Sequence, residues 1–100
     1  MPTTHVAATR YSVSVLPADH EAARYFTATV EHRGGQVWAV CYAGLCLDAA
    51  GIWSEEPSVS DRDAEWLATH RFDLPTALRL AEQAAPHLVC NGRTAAQVAA

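Results

Sequence analysis

The side chains in this sequence best suited to chemistry are its cysteines and histidines. Cys41, Cys46 and Cys90, with His32, His70 and His87, could supply a thiolate nucleophile and an imidazole base. Such a site needs a lowered thiol pKa and a histidine within hydrogen-bond reach. Metal sites declare themselves instead by short paired spacings. Four residues separate Cys41 from Cys46, and Cys90 is remote. No metal site and no cofactor are therefore expected, and buried, inert thiols are the default reading.

The aromatic residues come next. Trp38, Tyr42, Trp53 and Trp66 are many large rings for 100 residues. Tryptophan and tyrosine are enriched at binding hot spots, but such rings more often fill a core. Trp53 stands beside Ser54, Glu55 and Glu56, which makes it the tryptophan most expected at the surface. The same stretch concentrates acid. Glu55, Glu56, Asp61, Asp63 and Glu65 could present an electronegative face to a basic partner. The plainer reading is a solvated loop followed by the acids that suit a helix N-terminus. A carboxylate pair such as Glu55 with Glu65 could do acid–base work, but nothing in the sequence sets its separation.

Other chemistries find no footing. Gly34-Gly35 lacks the lysine and helix that would make it a phosphate loop. No Gly-x-Ser-x-Gly elbow is present. The net charge is −4, and all seven basic residues are arginine. From Asp48 to Asp73, seven acids face two arginines, a local charge of −5. Binding along a phosphate backbone needs a basic stripe, so nucleic acid is not an expected partner unless Arg10, Arg24, Arg33 and Arg93 gather on one face. Met1 to Arg10 has the features of no signal peptide, and no apolar run approaches the ~20 residues of a membrane span. Reduced thiols in a cytoplasm are the natural expectation. Half of the residues are apolar, enough for a compact core without disulfides. Twenty alanines and no lysine suit a GC-rich genome.

The elements that must position these side chains follow from periodicity. Residues 1–9 read as a flexible tail, and residues 10–100 as one α+β domain. Arg10–Leu16 alternates with period two, as a half-buried strand does. Arg24–Glu31 is rich in strand-forming residues, and His32–Gly35 turns the chain. Gln36–Tyr42 is apolar on both faces and so is expected at the centre of the sheet. Leu45–Asp48 and Ile52–Glu55 extend the meander to four or five strands. Ser60 is expected to cap a helix over residues 61–70, anchored by Trp66 and Leu67. Asp73 caps a second helix over residues 74–85, with Pro75 in its first turn. A short strand over residues 87–90, an Asn91-Gly92 turn and a capping box at Thr94–Gln97 close the chain with a terminal helix. Strands first and helices later predict an antiparallel meander with two helices packed on one face.

Tyr11-Ser-Val-Ser-Val-Leu-Pro17, the Gln36–Val40 strand, Glu65-Trp-Leu-Ala-Thr-His-Arg-Phe-Asp-Leu-Pro-Thr-Ala-Leu-Arg-Leu80 and Asn91-Gly-Arg-Thr94 carry a resemblance. Over residues 10–100 the chain resembles a group of uncharacterised small proteins of actinobacteria and their phages. The resemblance implies no activity. A phage or mobile-element setting implies a small binding protein aimed at a host protein, by analogy.

Two expectations result. The first is a non-enzymatic interaction module. It would meet a protein partner through Trp53, Glu55, Glu56, Asp61 and Glu65, or pair with itself along an open sheet edge. The second is a small-molecule-binding or weakly catalytic domain with a pocket between sheet and helices, where Cys41, Tyr42 and His70 would be the polar groups.

Overall fold

The early alternation folds into strand β1, Arg10–Val13, in the computed structural model, which describes residues 2–100. β2, Ala28–His32, runs antiparallel to it, with Tyr11 opposite Val30. β3, Trp38–Tyr42, β4, Leu45–Leu47, and β5, Trp53–Glu55, complete an antiparallel sheet in the order β1-β2-β3-β4-β5. Helices α1, Ala64–His70, and α2, Leu74–Ala84, follow. A two-stranded ladder of β6, Val89–Cys90, and β7, Arg93–Thr94, leads into α3, Ala95–Ala99. The architecture is α+β, as the order of strands and helices predicts. No helix among the described residues is long and apolar enough to cross a membrane.

The pleat sorts the side chains. Val30 pairs with Val40, and Leu47 with Trp53, which sets these residues on the face that α2 covers. Ala77 and Ala81 of α2 are fully buried there. Their small side chains let the helix lie close on Val30, Val40 and Leu47, and removing those apolar surfaces from water stabilises the pair of layers. β3 is central, and Trp38, Ala39 and Val40 are all buried, as its two-sided apolar sequence predicts. A second cluster joins Leu16, Phe26 and Ala28 to Leu88 and Ala95, and Trp53 packs against both clusters. The capping box forms: the Gln97 amide donates to Thr94 Oγ1 at 3.2 Å and the Thr94 amide to Gln97 Oε1 at 2.8 Å.

β4 is too short to pair with the start of β3. Phe72 takes its place, with Trp38 N donating to Phe72 O at 2.7 Å and Phe72 N to Trp38 O at 2.9 Å. The Ala49 amide donates to Thr69 O at 2.8 Å beside this bridge. The end of α1 is thus tied to the turn after β4, and the residue two positions beyond it to β3.

Three local expectations are corrected. Arg24 and Tyr25 lie in a 3-10 turn, Ala23–Tyr25, and not in β2, because Tyr25 N and Phe26 N bond carbonyls three residues back. Ser60 does not cap α1. It sits in a separate turn, Val59–Asp61, and Asp63 Oδ1 accepts the Trp66 amide at 2.7 Å instead. Trp66 and Leu67 do not anchor α1 in the core: Trp66 is half-buried, Leu67 is exposed, and His70 is the buried residue of that helix. Asp73 caps α2 as expected, accepting the Thr76 amide at 2.9 Å.

Candidate functional site

Glu56, just beyond β5, gathers arginines from three parts of the chain. Its Oε1 lies 2.7 Å from Arg62, and its Oε2 lies 3.4 Å from Arg71 and 3.8 Å from Arg33. Arg33 follows β2 and also pairs with Glu31 at 3.2 Å. Three cations therefore share two carboxylates, which leaves a local positive surplus in an acidic protein. The arginines have further roles. Arg71 donates to the His70 carbonyl and lies 4.9 Å from the centre of the Trp66 ring, and Arg62 donates to the Pro57 carbonyl.

These guanidiniums rim a groove of about 500 Å³ between α1 and the β2–β3 turn. Val37, Ala64, Leu67 and Ala68 line it with Arg33, Arg62 and Arg71. Val37 and Leu67 are each 39% exposed, so the groove leaves apolar surface in water.

The sheet face opposite α2 is polar and concave. One hollow of about 390 Å³ is lined by Thr29, Glu31, Cys41 and Glu56 among others. A neighbour of about 580 Å³ is lined by Ser12, Ser14, Leu16 and Arg24. Arg10, Thr27 and Thr29 border both. The Thr29 hydroxyl donates to Glu31 Oε2 at 2.6 Å, and this bond, helped by Arg33, holds the Glu31 carboxyl below its ordinary pKa. Pairing with Glu31 raises the already high pKa of Arg33 against the opposing effect of burial.

Cys41 and Cys46 sit on this face, directly opposite each other across β3 and β4. Arg33 approaches Cys41 Sγ at 3.6 Å and Arg71 approaches Cys46 Sγ at 3.8 Å. The hydrogen bond between the two thiols pushes Cys41 far above the usual thiol range, and burial adds to the rise. The same bond lowers Cys46, with Arg71 acting in the same direction. One proton shared between two sulfurs has this effect: the first ionisation is eased and the second resisted.

The residues expected at a partner surface are dispersed. Trp53 is half-buried, with its ring 5.9 Å from that of Tyr42. Glu56 is held by the arginines, while Glu55 and Glu65 are exposed. Asp61 accepts the Ser58 hydroxyl at 2.7 Å. The residues expected in a pocket do not converge either. Tyr42 Oη donates to the Tyr25 carbonyl at 2.6 Å and lies 3.3 Å from the Val89 carbonyl, so it ties distant segments together. Burial raises its phenol pKa. His70 stacks on Trp66 at 4.2 Å, its Nδ1 2.8 Å from the Trp66 carbonyl and 2.8 Å from Thr69 Oγ1. It is not among the residues lining the hollow that Cys41 borders. The space between sheet and α2 is filled by fully buried side chains, and the hollows open on the other face. Arg10, Arg24 and Arg33 do border this open face, with Glu31 and Glu56 among them; Arg93 does not. No group of three or more histidines, cysteines or carboxylates among the described residues could hold a metal ion.

Sequence reasoning weighed Arg33 only with Arg10, Arg24 and Arg93, and did not join it to Arg62 and Arg71. A signal existed: Arg62 and Arg71 are the two cations within the acidic run. The thiol pairing was also within reach. Ala43-Gly44 is a two-residue turn, and such a turn sets Cys41 opposite Cys46.

No protein-family model, curated protein or solved structure matches the chain.

Proposed function

We propose that the chain is a protein-interaction module whose contact face is the groove between α1 and the β2–β3 turn. Its occupant is a short partner segment that carries apolar side chains and carboxylates. The observation behind this reading is an apolar groove rimmed by three arginines in a protein of net charge −4. Leu67 and Val37 offer the apolar contact. Arg33 and Arg62, each partly exposed, offer forked donors that match carboxylate geometry. Complementary charge favours an acidic partner and repels a basic one. Trp53 and Glu56 then act mainly inside the fold, where Glu56 orients the arginines.

The same proposal puts the chain in a cytoplasm, where its three free thiols stay reduced. It makes a host protein the partner of a phage or mobile-element product. The likeness to actinobacterial and phage proteins noted above is the support for that setting.

The experiment is selection of random peptides displayed on particles against the folded protein. Selected peptides are expected to be rich in Asp, Glu and large apolar residues. Their binding should weaken about tenfold or more in Leu67→Asp, a change of roughly 1.4 kcal/mol. Leu67 is exposed, so this variant should keep its fold, which circular dichroism checks. Enrichment of basic peptides, or binding untouched by Leu67→Asp, would overturn the reading.

A second reading, a small-molecule site, is favoured by the joined hollows on the open sheet face. Their volumes fall in the range of ligand pockets.

A further inference from the structure

We propose that Cys41 and Cys46 form a thiol–disulfide exchange site that takes small anionic disulfides from the open face of the sheet. This inference does not rest on the groove described above. It begins with register. Ala43 and Gly44 both have positive φ, 50° and 80°, as a two-residue hairpin turn of the primed type requires. Tyr42 and Leu45 flank that turn, and Cys41 and Cys46 are the next pair outward. In an antiparallel ladder hydrogen-bonded and non-hydrogen-bonded pairs alternate, which makes Cys41–Cys46 a non-hydrogen-bonded pair with Cα atoms about 4.5 Å apart. That separation lies within the range a disulfide spans. Both side chains point to the same face, so the bond can form without moving the strands.

The surroundings suit the chemistry. Each sulfur has an arginine nearby, Arg33 at 3.6 Å from Cys41 and Arg71 at 3.8 Å from Cys46, whose positive charge favours a thiolate against the opposing carboxylates of Glu31 and Glu56. Access is unequal. Cys46 is wholly buried, whereas Cys41 is half-buried and borders the hollow. Cys41 is therefore the sulfur that meets the substrate. Arg10 and Arg33 share that hollow with Glu31 and Glu56, and Arg62 and Arg71 also pair with Glu56, so four guanidiniums against two carboxylates favour a negatively charged one.

The reaction runs in two steps. Cys46, the more acidic of the two, first loses its proton to solvent; the Cys41 proton then passes to the Cys46 thiolate along their shared hydrogen bond, which leaves the thiolate on Cys41. Cys41 Sγ attacks one sulfur of the disulfide RSSR, an S–S bond forms to Cys41, and the first RS⁻ leaves. Cys46 then gives its thiol proton to solvent or to the departing RS⁻ and attacks Cys41 Sγ. The Cys41–Cys46 bond forms and the second RS⁻ leaves. The dithiol loses two electrons and two protons, and the disulfide becomes two thiols. An excess of a small thiol reverses both steps.

Oxidised glutathione, which is anionic, is the probe, with the cationic disulfide cystamine as its control. Cys90 is half-buried and serves as an internal reference thiol. The native protein is mixed with each disulfide, quenched with acid, digested with trypsin and weighed. Oxidised glutathione is expected to yield a peptide spanning Cys41 and Cys46 that is two hydrogen atoms lighter. This product should form about tenfold or more faster than any adduct at Cys90, and about tenfold faster than with cystamine. Cys46→Ser should trap the mixed disulfide on Cys41. Modification of Cys90 while Cys41 and Cys46 stay free would overturn the proposal, as would oxidation of the pair only in denaturant. Equal rates with both disulfides would overturn the anionic preference. The wild-type measurement decides the matter even if a variant fails to fold.

Discussion

Glu56 sets the arrangement of its neighbourhood because it is one carboxylate among three guanidiniums. Its side chain and that of Arg62 are each 19% exposed, and Arg71 is 7% exposed, so water cannot fully replace the pairing. Glu56→Gln keeps the shape and one acceptor oxygen but removes the counter-charge. The expected cost is about 1–3 kcal/mol, below the full penalty for breaking a buried pair because the site is partly wet. Urea denaturation of the two proteins checks it, and an unchanged midpoint would mean that solvent already neutralises the arginines. Adjacent residues differ sharply here. Glu55 and Glu56 look alike in the sequence, yet one is exposed and the other is clasped. Alternation along a strand turns neighbours to opposite faces, and composition alone does not say which face holds the cations. The acidic run was legible as charge. Its internal neutralisation was not, because Arg33 comes from a distant hairpin.

The two main helices are held in different ways. α2 buries Ala77 and Ala81 against the sheet, while α1 buries His70 and leaves Leu67 exposed. A segment with few buried apolar contacts opens at lower cost than the core. Amide hydrogens within α1 are therefore expected to exchange at least about tenfold faster than those in the middle of α2. Hydrogen exchange followed by mass spectrometry measures this, and equal protection would show that the arginine cluster fastens α1 as firmly as the core holds α2. The stripe of alanine and leucine along α2, the cap at Asp73 and the box at Thr94 were all legible in the sequence, because each depends on neighbours a few positions away. The five strands of the main sheet were legible for the same reason, apart from the start of β2, whereas the strand expected over 87–90 is only Val89–Cys90, His87 lying in a 3-10 turn. Ser60 misled because the cap that forms, Asp63, stands only three residues further on, and which of the two is used depends on where the preceding turn ends. Arg24 and Tyr25 misled because strand preference yields to the tertiary setting: successive carbonyls from His20 onward close tight turns first. The groove was not legible at all, since it arises where α1 meets a hairpin remote in sequence.

Across the whole molecule, the Cα radius of gyration is 14.9 Å, beyond the roughly 13 Å of a compact chain of this length. Residues 2–9 are exposed and lie outside the regular elements, which accounts for part of the extension. The Thr9 carbonyl, which accepts the His32 amide at 2.9 Å, marks where tertiary bonding begins. Removing residues 1–8 is therefore expected to leave the unfolding free energy measured in urea unchanged within about 0.5 kcal/mol. A larger loss would reveal contacts between those residues and the domain.

The paired hydrogen bonds at Ala49–Thr69 and Trp38–Phe72 have a wider meaning. They bring the chain back to within one bond of where β4 ends, so residues 50–68, with β5 inside them, form an excursion with a fixed clasp. Lengthening such an excursion adds little closure entropy. Trp53 is the excursion's anchor in both core clusters. Beyond that anchor and the Glu56–Arg62 pair, the exposed positions are free to diversify while the clasp keeps the underlying scaffold shut.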